Sequence, residues 1–277
     1  DHRLTVLVAA YNEAEALPLL QQSTGRVPTE PEFHNNLGLA LAALDRNDEA
    51  IAAYRATLAL KPAHATASNN LGLALQAMNR VPEAIAAYRH ALSVMPAFAH
   101  AHWNMALALL ANGEYAEGWR EYEWRLRLPE LGGREPALPF PRWDGSDLRN
   151  KTLLLVAEQG TGDALQFVRF AANVAKSGAR VVVQAPAPLG SLLATAPGVA
   201  ATIPTGMAPP PCDVALPLLS LGMLLDVRPG DSSGVPYVRS DAARRAEATR
   251  RVDAIRDRRR AVGIAWAGAA HHLNDRR

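Results

Sequence analysis

The heptapeptide Asn35-Asn36-Leu37-Gly38-Leu39-Ala40-Leu41 is repeated without change at residues 69–75, which lie 34 positions later. A weaker copy, WNMALAL, follows after the same step at residues 103–109. A second segment, EAIAAYR at residues 49–55, returns in the same way at residues 83–89. A fixed period of this length indicates a solenoid of stacked units, so the repeat has to be interpreted before any other feature.

Each unit has the composition of two helices that pack closely against each other. Small residues at the contact, Gly38 and Ala50 in the first unit, allow the close approach. Larger residues at helical spacing fill the space around it: Leu37, Leu41, Tyr54 and Leu58. Pro62 returns as Pro96 and marks the end of the second helix, because proline cannot continue one. Such a pair cannot bury its apolar face alone, so neighbouring units must stack.

This pattern resembles tetratricopeptide repeats in its period, its small-residue positions and its proline. The resemblance implies an N-terminal α-solenoid over residues 1–130, with repeats at 31–64, 65–98 and 99–130. Residues 1–30 are expected to be a degenerate first repeat, since Ala16 and Pro28 fall in register with Ala50 and Pro62. Against this, residues 4–8 are strand-like, and residues 7–13, LVAAYNE, resemble the opening strand of family-2 glycosyltransferases. Pro18 also lies inside the expected helix.

A row of asparagines is the one repeated feature that packing does not explain. Asn36, Asn70 and Asn104 occupy the same position of three successive first helices. One interpretation is local, with the side chains serving a turn or a nearby hydrogen bond. The other is a polar ladder that grips the backbone of a bound peptide, because an amide both donates and accepts. The row is similar to the asparagine ladders of the solenoids of protein O-glycosyltransferases.

Length, charge and cysteine content limit the possible classes of protein. A chain of 277 residues is long enough for about two domains. Its 49% hydrophobic and 20% charged residues are typical of a globular protein, and its net charge of +2 argues against nucleic acid as the main partner. The single cysteine, Cys212, cannot form an internal disulfide, so we expect a cytoplasmic location. No apolar run approaches the roughly 18–20 residues of a membrane span, so we expect no transmembrane segment.

The second half of the chain has the pattern of an α/β domain. Residues 131–150 are rich in proline and glycine and are predicted to be a linker, with Trp143 packed inward. Over residues 151–240, short apolar strands alternate with helical segments, which indicates an open parallel sheet. A continuous helix is predicted from Asp163 to Lys176. Residues 241–277 comprise a charged helix and then the start of a further strand.

The loop after the first strand is a candidate ligand site, because ligands of such sheets bind beyond the carboxyl ends of the strands. Its sequence is Glu158-Gln159-Gly160-Thr161-Gly162-Asp163, and it opens a helix. The glycines permit close approach of a ligand, and a helix N-terminus attracts anions. The spacing matches neither a dinucleotide fingerprint nor a phosphate-binding P-loop. Asp163 also has an ordinary structural explanation as the acid of a helix N-terminus.

Residues 158–167, EQGTGDALQF, preceded by Arg142-Trp143-Asp144-Gly145, resemble the start of the catalytic region in bacterial tetratricopeptide proteins that are fused to glycosyltransferases. These are similar to lipopolysaccharide heptosyltransferases, so the resemblance implies the Rossmann-like N-terminal half of a GT-B fold. It also implies that Asp163 is the catalytic base that deprotonates the acceptor hydroxyl. A departure at Thr161, where that family often has a bulkier residue, concerns the fine geometry of the loop.

A second match to the same family lies at residues 263–277, GIAWAGAAHHLNDRR, which resemble the first strand and glycine loop of a donor-binding domain. The resemblance implies that Trp266 and Gly268 line the nucleotide-sugar site, and that Arg276 or Arg277 offsets the charge of the diphosphate. Most of a donor-binding domain, on the order of 100–150 residues, would have to follow.

The leading functional hypothesis is therefore a glycosyltransferase that transfers a sugar from a nucleotide-sugar donor to a protein or peptide held by the repeats. We expect no cofactor, and no bound metal, since His271 and His272 are adjacent and lack further ligands. The alternative is a non-catalytic scaffold whose repeats bind a protein while the α/β part is vestigial. A third possibility is transfer to a lipid-linked or lipopolysaccharide sugar, with the repeats used for assembly.

Overall fold

The computed structural model describes residues 13–129, 138–231 and 236–256. Residues 13–129 comprise seven α-helices: α1 Glu13–Arg26, α2 Pro31–Ala43, α3 Asn47–Leu60, α4 Ala65–Ala77, α5 Val81–Val94, α6 Ala99–Ala111 and α7 Tyr115–Tyr122. A 3-10 helix, Glu123–Arg127, continues from α7. The strand-like residues 4–8 lie outside the described ranges.

The helices reproduce the 34-residue period of the sequence. The first residues of α2, α4 and α6 are Pro31, Ala65 and Ala99, and those of α1, α3, α5 and α7 follow the same step. The turns inside the pairs repeat as well, because Asp45, Asn79 and Gly113 all have positive φ angles. Asp, Asn and Gly tolerate this left-handed conformation better than other residues, and it reverses the chain at the end of a helix.

Glycine permits the close contact inside each helix pair. A Cβ atom added to Gly38 would lie 2.5 Å from the Tyr54 ring, and one added to Gly72 would collide with the Tyr88 ring. Both tyrosines are fully buried. Helix α1 includes Pro18 and still packs on the repeats, since Ala16, Leu17 and Leu20 belong to the same apolar cluster as Tyr54.

The described residues of the C-terminal part, 138–231, form a four-stranded parallel sheet in the order β3-β2-β1-β4. Its strands are β1 Thr152–Val156, β2 Arg180–Ala185, β3 Val199–Pro204 and β4 Val214–Pro217. Leu153–Leu155 and Val181–Val183 are completely buried, as continuous apolar strands of a covered parallel sheet should be. The prediction of an open parallel sheet is confirmed.

Short helices accompany the strands: α8 Thr161–Phe167 and α9 Ala171–Ala175 lie between β1 and β2, α10 Ala187–Leu193 lies between β2 and β3, and α11 Leu221–Leu224 follows β4. The predicted continuous helix 163–176 is wrong in one respect, because a 3-10 turn at Val168–Phe170 separates α8 from α9. Val168 and Phe170 of this turn are both buried in the core cluster of the sheet. Helix α12, Ala242–Arg256, follows the sheet.

Part of the predicted linker is packed against the sheet. Arg142 forms a parallel bridge with Ala215 of β4, and Trp143 N donates to Ala215 O at 2.9 Å. Trp143 and Leu148 are buried in the core of the sheet, so the expectation that Trp143 points inward holds. The proline and glycine content of this segment reflects its turns, while Trp143 and Leu148 attach it to the core.

The solenoid and the sheet pack directly against each other through α7. Trp119 lies against Gly222, where an added Cβ would be 2.7 Å from the indole ring. Its Nε1 donates to Val227 O at 2.7 Å, and its ring meets Phe167 edge to face at 5.9 Å. The aromatic residues of the last repeat therefore serve as the contact surface for the sheet. Within the described ranges, no helix combines the length and apolarity that crossing a bilayer requires.

Candidate functional site

The asparagines of successive repeats form hydrogen bonds with each other. Asn70 Nδ2 donates to Asn35 Oδ1 at 3.4 Å, and Asn104 Nδ2 donates to Asn69 Oδ1 at 3.0 Å. Asn36, the first residue of the predicted row, is buried, whereas Asn70 and Asn104 are partly exposed. Asn70 and Asn104 therefore each donate one side-chain N–H to the preceding repeat. A role of the row in binding a peptide stays a prediction, and in these two residues it depends on the carbonyl oxygen and the second N–H.

An exposed leucine lies three positions after each residue of the asparagine row. Leu39, Leu73 and Leu107, which we call the leucine row, are 38%, 45% and 37% exposed. Residues three apart lie on the same side of a helix, so each leucine shares a face with Asn36, Asn70 or Asn104. The repeat pattern did not reveal this row, because it identified Leu37 and Leu41 as packing residues and left the side of the helix on which Leu39 lies unassigned. The signal that could have found it is position, since Leu39 alternates with the buried Gly38 and Ala40.

The loop after β1 has a geometry that differs from the one expected. Left-handed backbone occurs at Gln159, with φ of 63°, and not at Gly160, whose φ is −83°. A side-chain-bearing residue in this region is strained, and such strain is often found at functional sites. Asp163 Oδ2 accepts a hydrogen bond from Gly160 N at 3.1 Å, which is the capping interaction of an ordinary first-turn acid. Open space surrounds the Gly162 Cα, where an added Cβ would meet nothing within 4 Å.

Glu158 points away from Asp163 and joins three parts of the molecule. Its Oε2 accepts from Leu218 N at 2.9 Å and its Oε1 from Leu219 N at 3.2 Å. Arg125 Nη2, from the end of the solenoid, donates to the same Oε1 at 2.7 Å. Leu218 directly follows β4, the neighbour of β1, so Glu158 lies where the strand order of the sheet reverses. That crevice usually receives ligands in open α/β sheets, and here a carboxylate of the chain itself enters it.

The interaction of Glu158 belongs to a larger charged cluster, which we call the joint: Glu123, Arg125, Arg142, Glu158 and Ser220. Arg125 is 1% exposed and also donates to Glu123 Oε1 at 2.6 Å and to Ser220 Oγ at 2.9 Å. Ser220 Oγ donates to Glu123 Oε2 at 2.9 Å, and Arg142 pairs with the same carboxylate. Two arginines therefore balance two glutamates at the contact between solenoid and sheet.

At the joint, burial and ion pairing shift the pKa values of the charged groups in opposite directions. Burial raises the pKa of the Glu158 carboxyl above its ordinary value, although the Arg125 guanidinium and the Leu219 amide act in the opposite direction. Burial by itself lowers the pKa of Arg125, but the charges of Glu123 and Glu158 raise it more, and the net direction is upward. A buried guanidinium that keeps its proton leaves at least one carboxylate of the joint charged to pair with it.

Four predicted site residues lie outside the described residues: Trp266, Gly268, Arg276 and Arg277. Their role in a donor site stays a prediction. Among the described residues, no group of three or more histidine, cysteine, aspartate or glutamate side chains could hold a metal ion. The sites that the structure does describe are the asparagine and leucine rows on the solenoid, the loop at Asp163 and the joint.

Comparison with known proteins bears on the solenoid. Residues 30–97 match the tetratricopeptide repeat family. Protein FlbA of Caulobacter vibrioides is 34% identical over 65 residues, a match that spans 24% of this chain and only 11% of FlbA. A crystal structure of MamA aligns with 44% of this chain and 71% of MamA, at 27% identity and a TM-score of 0.40. MamA from Desulfovibrio magneticus RS-1 aligns with 47% of this chain and 73% of its own length, at 22% identity and a TM-score of 0.43. The family match spans the two helix pairs α2–α3 and α4–α5.

Proposed function

We propose that the chain is a protein-binding scaffold whose solenoid holds an extended polypeptide segment along the leucine row. The observation that carries this proposal is the exposure of Leu39, Leu73 and Leu107 at one position of three successive repeats. Scattered exposed leucines need no explanation, but a periodic row on one face is a contiguous apolar surface. Such surfaces mark sites of interaction with other proteins.

The spacing of the row indicates the kind of segment that fits. Packed helices lie about 8–10 Å apart, and an extended chain advances about 3.3 Å per residue. One leucine of the row therefore meets about every third residue of an extended partner. The partner we propose carries apolar side chains at that interval. The oxygens of Asn70 and Asn104 are available beside the leucines to accept hydrogen bonds from its backbone.

Selection from a library of random peptides displayed on phage tests this proposal, because the natural partner is unidentified. We expect enriched peptides to have apolar residues at every third position. Leu39→Ser, Leu73→Ser and Leu107→Ser should each weaken binding of an enriched peptide by about tenfold, which corresponds to about 1.4 kcal/mol for an apolar contact. Affinity is measured by fluorescence anisotropy.

The matched controls are Leu60→Ser and Val94→Ser, which alter leucine and valine side chains of similar exposure, 41% and 37%, on the second helices of the repeats. These two changes should leave the affinity within about twofold, since surface substitutions outside an interface have small effects. Equal loss of affinity in the control variants and in the leucine-row variants would contradict the proposed binding surface.

Sugar transfer is the second candidate function, and the loop at Asp163 supports it. The sheet order β3-β2-β1-β4 is compatible with a Rossmann-like half of a GT-B fold. Open space at Gly162 adjoins Asp163, and Gln159 in the same loop has a strained backbone. In this function, Asp163 deprotonates the acceptor hydroxyl, and Trp266, Gly268, Arg276 and Arg277 bind the nucleotide-sugar donor.

The test of this second function uses the protein, a panel of radiolabelled nucleotide sugars and a peptide enriched in the display experiment. If Asp163 is the base, Asp163→Asn lowers transfer by about 100-fold or more, because general-base catalysis contributes about that much. The control is Asp147→Asn, which changes an exposed aspartate that precedes β1. Transfer that persists in Asp163→Asn contradicts the assignment of the base, and no transfer from any donor leaves the scaffold as the function of the chain.

A further inference from the structure

The second helices of two successive repeats, α3 and α5, flank a groove of about 420 Å³ whose floor is α4. Leu71 and Leu75 lie at its base and are almost fully buried, while Leu58 forms one wall and Ala86 and Ala87 the other. This surface is separate from the leucine row, since none of the three leucines of the row contributes to it. A groove of this size with an apolar floor can accommodate a side chain of another molecule.

The next repeat has large side chains at the corresponding positions. One period of 34 residues after Ser68 and His90 come His102 and Trp124, whose rings stack at 3.7 Å with an interplanar angle of 3°. His102 is held in place by Glu121 and by Pro96 O, the latter at 2.8 Å from Nε2. In this repeat, the position is therefore filled by stacked rings of the chain itself, His102 and Trp124.

The middle repeat has smaller side chains there. Ser68 occupies the position of His102, His90 that of Trp124, and Ala87 that of Glu121. Ser68 Oγ and His90 Nδ1 are hydrogen bonded at 2.8 Å, which fixes the imidazole ring at the edge of the groove. At the rim, Arg55 and Glu83 approach within 3.6 Å and provide polar groups around the apolar floor. The groove therefore combines an apolar base with a fixed ring beside it.

We propose that this groove binds an aromatic side chain of a partner polypeptide, which stacks beside His90 as His102 stacks on Trp124. Offset stacking between rings adds to the apolar contact with Leu71 and Leu75. The proposal extends the binding function proposed above, but it concerns a different face of the solenoid. Its failure can therefore be distinguished from failure of the leucine row.

The test measures binding of N-acetyl-tryptophanamide to the protein by saturation-transfer NMR. A ligand of this size in a single shallow site is expected to have a Kd on the order of 1–10 mM. The double variant Ser68→His/His90→Trp gives the groove the two residues of the next repeat and should weaken binding by at least about tenfold, because the site is then filled.

A second variant keeps the test valid if the double variant folds poorly. Ala86→Arg introduces the residue found one repeat later, Arg120, at an exposed position beside the groove, and it should weaken binding by about fivefold or more. The matched control is Ala52→Arg, an exposed alanine one repeat earlier, which should leave binding unchanged. Leu73→Ser should also leave it unchanged, because the leucine row is a separate surface.

Three results would overturn the proposal. One is the absence of binding to the unmodified protein at about 20 mM probe, well above the expected Kd. Another is equal binding by the unmodified protein and both groove variants, which would locate the site elsewhere. The last is tighter binding of N-acetyl-leucinamide than of N-acetyl-tryptophanamide, which would identify the occupant as aliphatic.

Discussion

Gly72 and Tyr88 are the residue pair on which the close packing of the middle repeat depends. The sequence predicted that Gly38 and Gly72 lie at a helix contact, because glycine recurs there beside larger residues at helical spacing. It did not predict how the asparagines pair. Asn35 and Asn36 are adjacent, and which of them faces the next repeat depends on the twist of the stack. That twist follows from packing along the whole solenoid and cannot be read from a single unit.

We expect Gly72→Ala to lower the free energy of unfolding by about 1–3 kcal/mol, because the added Cβ would collide with the buried Tyr88 ring. The control is Gly25→Ala in α1, where an added Cβ meets nothing within 4 Å. There, the better helix propensity of alanine should increase stability by up to about 1 kcal/mol. Guanidinium unfolding followed by circular dichroism measures both changes. Similar shifts of the unfolding midpoint in Gly72→Ala and Gly25→Ala would show that the close contact with Tyr88 does not require glycine.

The contact between α7 and the sheet is the part of the architecture that sequence patterns described least well. Trp119 of the last repeat docks on the sheet through Val227 and Phe167. The joint was not predicted, because charged residues at the end of a repeat, such as Glu123 and Arg125, usually remain in solvent. Glu158 lies 33 residues after Arg125, and no periodicity links the two. The break between α8 and α9 was missed for a similar reason, since it depends on burial against the sheet.

Arg125→Met should lower the free energy of unfolding by about 3–5 kcal/mol, because it leaves Glu123 and Glu158 buried without their guanidinium partner. The same change should raise the pKa of Glu158 further, since Arg125 is the main charge that opposes the effect of burial. The double variant Arg125→Met/Glu158→Gln removes one of the stranded charges and should recover part of the loss. Urea unfolding and NMR titration of the Glu158 carboxyl carbon measure these effects. A single variant as stable as the unmodified protein would contradict the structural role of the joint.

For the molecule as a whole, the sequence predicted both architectures correctly at a coarse level. Period and small-residue positions identified the solenoid, and the alternation of apolar strands with helices identified the parallel sheet. The site was harder to predict, because Leu39, Leu73 and Leu107 look like core leucines until the helix faces are known. The resulting architecture is a solenoid with an exposed leucine row, and Trp119 and the joint attach this solenoid to a small sheet.

Methyl NMR of the protein with assigned leucine resonances can locate the bound polypeptide. A peptide enriched by display is added, and chemical-shift changes are recorded for all leucines of the solenoid. We predict large changes at Leu39, Leu73 and Leu107 and small changes at Leu60 and at Leu58 in the groove wall. Changes confined to leucines outside the row, with Leu39, Leu73 and Leu107 unaffected, would contradict the account.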